Sequence, residues 1–451
     1  MHLIAGTFAA WATTLDPDQI PAETRDQIGL HLADAIGLVA AAWNTEPGST
    51  SRDVARDLGG TGSDLLFDRA GIHPAASALA HGTLIHTLDY DDTFPDSVIH
   101  PMSVLAPAAW AVSDDDTSGE EILIALAAGG EFLARLGAEA GRSLHARGFQ
   151  ATSVFGPLAS ALVVGVLRKR SRESIAAAMG LAGSMSGGVL EFLSDGTWSK
   201  RLHPGWAAHG GVIADMHASR GFPGPASIIE GRHGLFSSFL SREVLADDVV
   251  GDLGEVWEAR HVELKLYPCA HVIHPFIAMA ADLSTRCGAI DTIAEVQCTV
   301  APWYVPIVCE PRAEKLEPTG EYQARTSLML AVAVALLDGD VGASSFDLDS
   351  VRRLDVRALA ERVTVIEDRE LDAGFGARIQ IRLRDGTLID GDGALQTDVP
   401  LRAQDKFRSA FGGADSSMPE VEYLWDTIRE FDRHPWSRVR QAADATSRLL
   451  S

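Results

Sequence analysis

The stretch Ile293-Ala-Glu-Val-Gln-Cys-Thr-Val-Ala-Pro-Trp-Tyr-Val-Pro-Ile-Val308 is rich in β-branched and aromatic residues and breaks a chain that otherwise reads as helix. Such residues fit a pleated, half-buried surface, so the stretch predicts strand. Further along, Arg362 to Glu367 reads as a strand. Ala377 to Leu383 alternates as ARIQIRL ahead of Arg384-Asp-Gly-Thr, a hairpin turn signal. Thr326 to Leu337 and Ser350 to Glu361 predict helices between these strands. Working outward to the amino-terminal side, Ile28, Leu32, Ile36 and Val39 recur at spacings of three and four, one apolar helix stripe. Ala75 to Leu88, Glu120 to Glu139, Ser153 to Arg168 and Ser171 to Gly183 predict further helices. Many of their apolar positions are Ala or Gly, which lets helix axes approach closely. Helical periodicity returns over Pro400 to Phe411 and Val421 to Leu450.

The expected fold is therefore mainly α with an α+β second domain. A large all-helical domain is built from both chain ends, residues 1–259 and 397–451, and a smaller α+β domain, residues 260–396, is inserted between them. A chain of 451 residues exceeds the size at which a single core keeps growing, which also favours two domains. Extensive helix-on-helix contact suggests a homodimer.

With 38 Lys plus Arg against 62 Asp plus Glu, the net charge is −24, which argues against nucleic-acid and membrane-surface partners. The longest apolar runs, Ala159 to Leu167 and Met329 to Leu337, fall short of the roughly 20 residues of a membrane helix. No signal-peptide pattern opens the sequence. Cys269, Cys287, Cys298 and Cys309 form no CxxC and are too few to staple the chain, so reduced thiols and a cytoplasmic location are expected.

Against this acidic background two segments carry the chemistry. His86-Thr-Leu-Asp-Tyr-Asp-Asp-Thr93, closed by His100-Pro101, concentrates carboxylates and imidazole beside helical sequence. Asp89, Asp91, Asp92 and Asp96 offer oxygens to a hard cation, but the spacing lacks the glycine and final Glu of a calcium loop. Capping of a helix end is the other structural reading of these aspartates. His100 suits a general acid or base. Thr197-Trp-Ser-Lys-Arg-Leu-His-Pro-Gly205 offers Lys200, Arg201 and His203 on a predicted loop leading into a helix over Ala207 to Ser219. Cations there can grip a carboxylate, so the predicted partner is a small anion. Lys265-Leu-Tyr-Pro-Cys-Ala-His-Val-Ile-His274 lies at the predicted domain boundary, where ligand clefts form, and brings Lys265, His271 and His274. Cys269 reads as a small buried hydrophobe rather than a nucleophile.

Together these segments resemble the MmgE/PrpD family of 2-methylcitrate dehydratases and cis-aconitate decarboxylases. The matching pieces are HTLDYDDT, GFQATSVFGPLASA at 148–161, EFLSDGTWSKRLHPGWAAHGGVIA at 191–214, GPASIIEGRHGLF at 224–236, KLYPCAHVIH at 265–274, GEYQARTSL at 320–328 and LLDGDVG at 336–342. The resemblance implies a homodimer that works without metal, iron–sulfur cluster or other cofactor, binding a di- or tricarboxylate between its domains. It places Asp89, Thr93, His100, Lys200 and Lys265 in the active site. Three positions depart from the family: Gln150 and Ala270 stand where relatives often carry His, and Ser327-Leu-Met-Leu330 where they carry a Tyr. The expected activity is a cofactor-independent hydro-lyase (dehydratase) on a small polycarboxylate. His100, Asp89, Asp92 and Lys200 are the expected catalytic residues, with Thr93, Gln150, Arg201, His203, Lys265, His271 and His274 binding substrate. An isomerase or epimerase, a decarboxylase, and a carboxylate-binding protein without turnover are the alternatives.

Overall fold

The computed structural model describes residues 3–371, 375–392, 399–412 and 418–450. The fold is mainly helical with a smaller α+β part. The sequence-predicted boundary at 396/397 lies outside the described residues. Apolar side chains gather into two cores. One draws on residues from Ile4 to Leu264 and again from Ala403 to Leu450, the other on residues from Leu266 to Ile381.

In the first core the helix Ser199–Ala218 crosses both Pro74–His86 and Ala151–Leu167. The crossings are glycine contacts. A Cβ on Gly82 would come within 2.6 Å of the Gly205 Cα, one on Gly205 within 2.2 Å of the Leu79 carbonyl, and one on Gly211 within 2.4 Å of Ser160. Backbone therefore meets backbone there, and Lys200, near the start of one helix, reaches Asp89 just beyond the end of the other. The segment Lys200–Pro204, expected as a loop, belongs to this helix. Pro204 lacks only the N–H that would have reached Lys200, and the helix continues past it.

The helical part is not all-helical. Ser63–Leu65 and Asp68–Ile72 form a two-stranded antiparallel hairpin. Its turn uses Phe67 at φ +67°, held by edge contacts with Trp43 and Phe411, so no Asn-Gly signal announces it. An amino-terminal helix, Ile4–Ala12, also went unread.

The second core packs His274–Arg286 and Leu328–Asp338 on a four-stranded sheet ordered Val363–Glu367, Ile293–Val300, Arg378–Leu383, Leu388–Asp392. The first pair is parallel, Val296 opposite Val363. The others are antiparallel, with Val296 opposite Ile381 and Ile381 opposite Ile389. The strand expected to run to Val308 stops at Val300. Pro302 and Pro306 cannot donate to a ladder, and Pro302–Tyr304 and Val305–Cys309 coil into short turns instead. These turns bring Trp303 and Ile307 to the junction of the two cores. The helix expected over Ser350 to Glu361 is two short pieces, Leu348–Val351 and Leu354–Ala360.

Candidate active site

A cavity of about 460 Å³ lies where the two cores meet, lined by Asp89, His100, Gln150 and Lys200 from one and by His271 and Tyr322 from the other. Lys265, at the seam, completes its charged end.

The helix Pro74–His86 ends three residues before Asp89, which adopts φ +52°. Asp tolerates this left-handed conformation better than most residues. The resulting turn sends the three aspartates in different directions. Asp89 faces the cavity, where Lys265 Nζ donates to its Oδ1 at 2.6 Å and Lys200 Nζ to its Oδ2 at 2.8 Å. Lys265 also donates to the Asp89 carbonyl at 2.9 Å. Burial raises the Asp89 carboxyl, but the two ammonium groups outweigh it and hold the group well below the usual carboxylate range. Asp91 turns back to His86, whose Nδ1 lies 2.8 and 2.9 Å from its two oxygens. Asp92 faces away from the cavity: Oδ2 meets His31 Nδ1 at 2.8 Å and Oδ1 accepts from the Met102 N–H at 2.9 Å, at the start of the helix Met102–Val112. The catalytic role expected for Asp92 is therefore replaced by a structural one, because each step along a tight turn redirects the side chain.

His100 is buried, and its Nδ1 lies 2.8 Å from the Asp92 carbonyl. A carbonyl only accepts, so Nδ1 carries the proton and Nε2 keeps a free lone pair. Burial, reinforced by the lysines, holds His100 well below its ordinary value, although Asp91 opposes the shift. The buried imidazole is therefore neutral at physiological pH. Its ring lies 4.6 Å from that of His86. The His86 Nε2 lies 3.5 Å from the Gln150 amide nitrogen, and the Gln150 oxygen accepts from His203 Nδ1 at 2.5 Å. The chain of partners thus orients Gln150 with its NH₂ toward His86.

Thr93 is buried outside the cavity lining. Its backbone exchanges two 2.8 Å hydrogen bonds with Glu263, and this bridge holds Lys265 against Asp89, while its hydroxyl lies 3.4 Å from His100. Direct substrate contact by Thr93 gives way to clamping. Arg201 and His203 also leave the lining, for a helical reason. Successive helix residues diverge by about 100°, so Arg201 is turned away from Lys200 and lies buried 5.5 Å from the Trp198 ring. His203, three residues after Lys200, returns to the same face and backs Gln150. Of the histidine pair at 271 and 274, His271 lines the cavity. His274 lies behind it, edge-on to Tyr267 at 5.2 Å. Burial holds both imidazoles well below the ordinary range. Ala270 lines the cavity, whereas Leu330 is core within Leu328–Asp338.

Four residues escaped the sequence reading as site members. The His86–Asp91 pair has a signal in its five-residue spacing within HTLDYDD. Tyr322, whose ring lies 5.4 Å from Lys200 Nζ, and His145, pushed down to about 4 by burial and by Lys200 and Arg142, had none.

His86, Asp89 and His100 place ligand-type atoms within 4.8 Å of one another. The donor set suits a cation poorly. Both Asp89 oxygens already bind ammonium groups, so an ion there would meet two positive charges at contact distance. The same arrangement suits an anion. Lys200 spends one of its three N–H donors on Asp89 and Lys265 two, which leaves three for an incoming carboxylate.

Comparison with known proteins agrees with this architecture. The MmgE/PrpD N-terminal domain model matches residues 6–247 and the MmgE/PrpD C-terminal domain model residues 267–411. The cis-aconitate decarboxylase-like protein oryM of Aspergillus oryzae is 25% identical over 445 residues, covering 92% of this chain and 91% of its own. The cis-aconitate decarboxylase of Aspergillus terreus is 24% identical over 458 residues, covering 92% and 91%. That of Homo sapiens is 27% identical over 378 residues, covering 79% and 74%. With both domain models matched in order on either side of the cavity, the chain belongs to the MmgE/PrpD family.

Proposed function

We propose that this protein is a cofactor-independent lyase acting on a small di- or tricarboxylate. The observation that carries the reading is the convergence of Lys200 and Lys265 on one carboxylate, at 2.8 and 2.6 Å, in the cavity that His100 lines. Removing a proton next to a carboxylate builds charge on that carboxylate, and preorganised ammonium groups in a water-poor site stabilise it. His100 Nε2 takes the proton. The C–H electron pair becomes the new double bond, and the C–O pair on the adjacent carbon leaves with oxygen, which is protonated and departs as water. Asp89 aligns the two lysines, and His86, polarised by Asp91, is the second proton-transfer group.

A second reading, decarboxylation, is favoured by the printed names of the curated relatives. Here an alkene carbon gains a proton, the double bond shifts, and the C–C pair released as CO₂ departs supplies the new double bond. The two share the lysine-held carboxylate and differ in the leaving group. A homodimer fits the exposed stripe Trp198, Leu202 and Trp206, one helical turn apart on the outer face.

The test is incubation of the protein in deuterated water with a hydroxy-tricarboxylate, an unsaturated tricarboxylate and an amino-dicarboxylate, followed by NMR and CO₂ trapping. New alkene signals without CO₂ establish dehydration, and trapped CO₂ establishes decarboxylation. Deuterium exchange accompanied by inversion at the exchanged carbon, with neither alkene nor CO₂ formed, identifies an epimerase. Thermal stabilisation by the acids with neither turnover nor exchange would overturn the lyase reading in favour of a binding protein.

A further inference from the structure

Asp89 lines the cavity between the two cores, while its chain neighbours Leu88 and Tyr90 line a second one of about 420 Å³. Lys406 also lines that second cavity, from the helix Val399–Ser409 of the returning chain end. Its side chain is only 8% exposed. Nζ donates to the Tyr90 carbonyl at 2.6 Å and to the Lys265 carbonyl at 3.1 Å, and it pairs with Asp34 Oδ1 at 2.6 Å. An ammonium has three N–H donors, so these contacts leave none for a ligand in either cavity. One of the two carbonyls belongs to the residue that follows Asp89 and the other to Lys265, and Asp89 and Lys265 are the pair that meets at 2.6 Å. The Tyr90 hydroxyl adds a tie between the same segments, donating to the Leu266 carbonyl at 2.9 Å. The Thr93–Glu263 bridge joins them again a few residues away. One tie leaves two segments free to pivot, whereas a second fixes the angle between them.

We propose that Lys406 is a positioning residue for the reacting centre: by gripping the Tyr90 and Lys265 carbonyls together it keeps the Lys265 ammonium on Asp89 and beside the substrate carboxylate, without touching substrate. Stability alone does not account for a lysine at this place, because replacing a buried ion pair by apolar residues is often neutral or stabilising. Geometry does account for it. Lys265 must meet a carboxylate whose charge grows as the proton leaves, and a misplacement of about 1 Å costs on the order of a hundredfold in rate. The kinetic consequence rests on the lyase reading, and the consequence for anion binding does not.

The experiment is a double-mutant cycle of Lys406→Met with Lys265→Met, read by kcat on the acid that the protein turns over and by calorimetric Kd for citrate. Lys265→Met keeps the carbonyl that Lys406 grips and removes only the ammonium that it positions. Lys406→Met lowers kcat roughly 10- to 100-fold and weakens citrate binding. On the Lys265→Met background the same substitution changes either quantity by no more than about twofold. Equal losses on the two backgrounds would mean that Lys406 serves the fold alone, and would overturn the proposal. Because Lys406→Met strands the Asp34 carboxylate, Asp34→Asn/Lys406→Met, which removes both charges together, is carried through the same cycle. Lys406→Ala gives a second readout, since its vacated space opens on the second cavity. Ethylammonium restores kcat and citrate affinity to it, whereas tetramethylammonium, a cation without N–H donors, does not; the same response to both overturns the donor role. Coupling in Kd without turnover of any acid supports the clamp and overturns the lyase reading.

Discussion

Replacing Asp89 by Asn tests the electrostatic centre of the site. The substitution keeps size and shape but removes the charge that Lys200 and Lys265 share. At 2.8 and 2.6 Å and an effective dielectric near 20, each contact gains roughly 6 kcal/mol before desolvation. Net of desolvation, removing one partner of such a buried group costs about 3–5 kcal/mol. An unfolding entropy of ~2.1 cal/mol/K per residue over 451 residues converts this to a fall in Tm of roughly 3–5 °C. The freed ammonium groups then bind a polycarboxylate without competing against Asp89. Differential scanning fluorimetry with and without a tricarboxylate at saturation reads both effects. The variant melts lower than the wild type and gains more from the ligand, with about 2.7 kcal/mol available at a hundredfold excess over Kd. A Tm within about 1 °C of wild type, or a smaller ligand shift than the wild type shows, would refute the Lys–Asp–Lys centre.

Three further outcomes are expected. His100→Gln loses about 10²–10⁴-fold in kcat while circular dichroism stays native; a loss below tenfold removes His100 as the base. Asp92→Ala strands His31 Nδ1 and the Met102 N–H, costing roughly 1–3 kcal/mol for each buried group. Activity per folded molecule is retained, so a kcat loss like that of His100→Gln would return Asp92 to the reacting centre. Stability also falls on acidification. His100, His271 and His274 lie well below 6.5 and His81 at about 4, so all four are neutral when folded and take up protons on unfolding. Their stabilisation is fully present above pH 6.5 and is lost progressively as the pH falls below it, because the unfolded imidazoles then bind protons that the folded ones do not. Asp34, raised to about 6 by burial against the pull of Lys406, opposes this by roughly one imidazole's worth between pH 7 and 5. Urea midpoints between pH 7.5 and 5.5 measure the net fall, and a flat profile would refute the neutral assignments.

The helical texture, the switch to strand at Ile293 and the small residues at helix crossings were legible because local periodicity and side-chain size act over a few neighbours. The same logic found the acidic cluster and the cations Lys200 and Lys265, since an anion site needs those residue types whatever the fold. It failed where prolines end a ladder, as after Val300, and where Pro204 sits within a helix, because only the surrounding packing decides whether a proline breaks or bends an element.

The sequence by itself determined which residue types were available: carboxylates and imidazoles in one short segment, cations in two others, and apolar faces for two cores. Tertiary structure alone decided their partners. Asp89, Asp91 and Asp92 are near-neighbours in the chain, yet one left-handed residue sends them to two lysines, to His86 and to His31. Lys265 reaches Asp89 across 176 residues of chain, and the glycine-tight crossing at Gly82 and Gly205 and the Thr93–Glu263 bridge help bring the two ammonium groups onto it. Charge acts through space, and a sequence records order along the chain rather than distance.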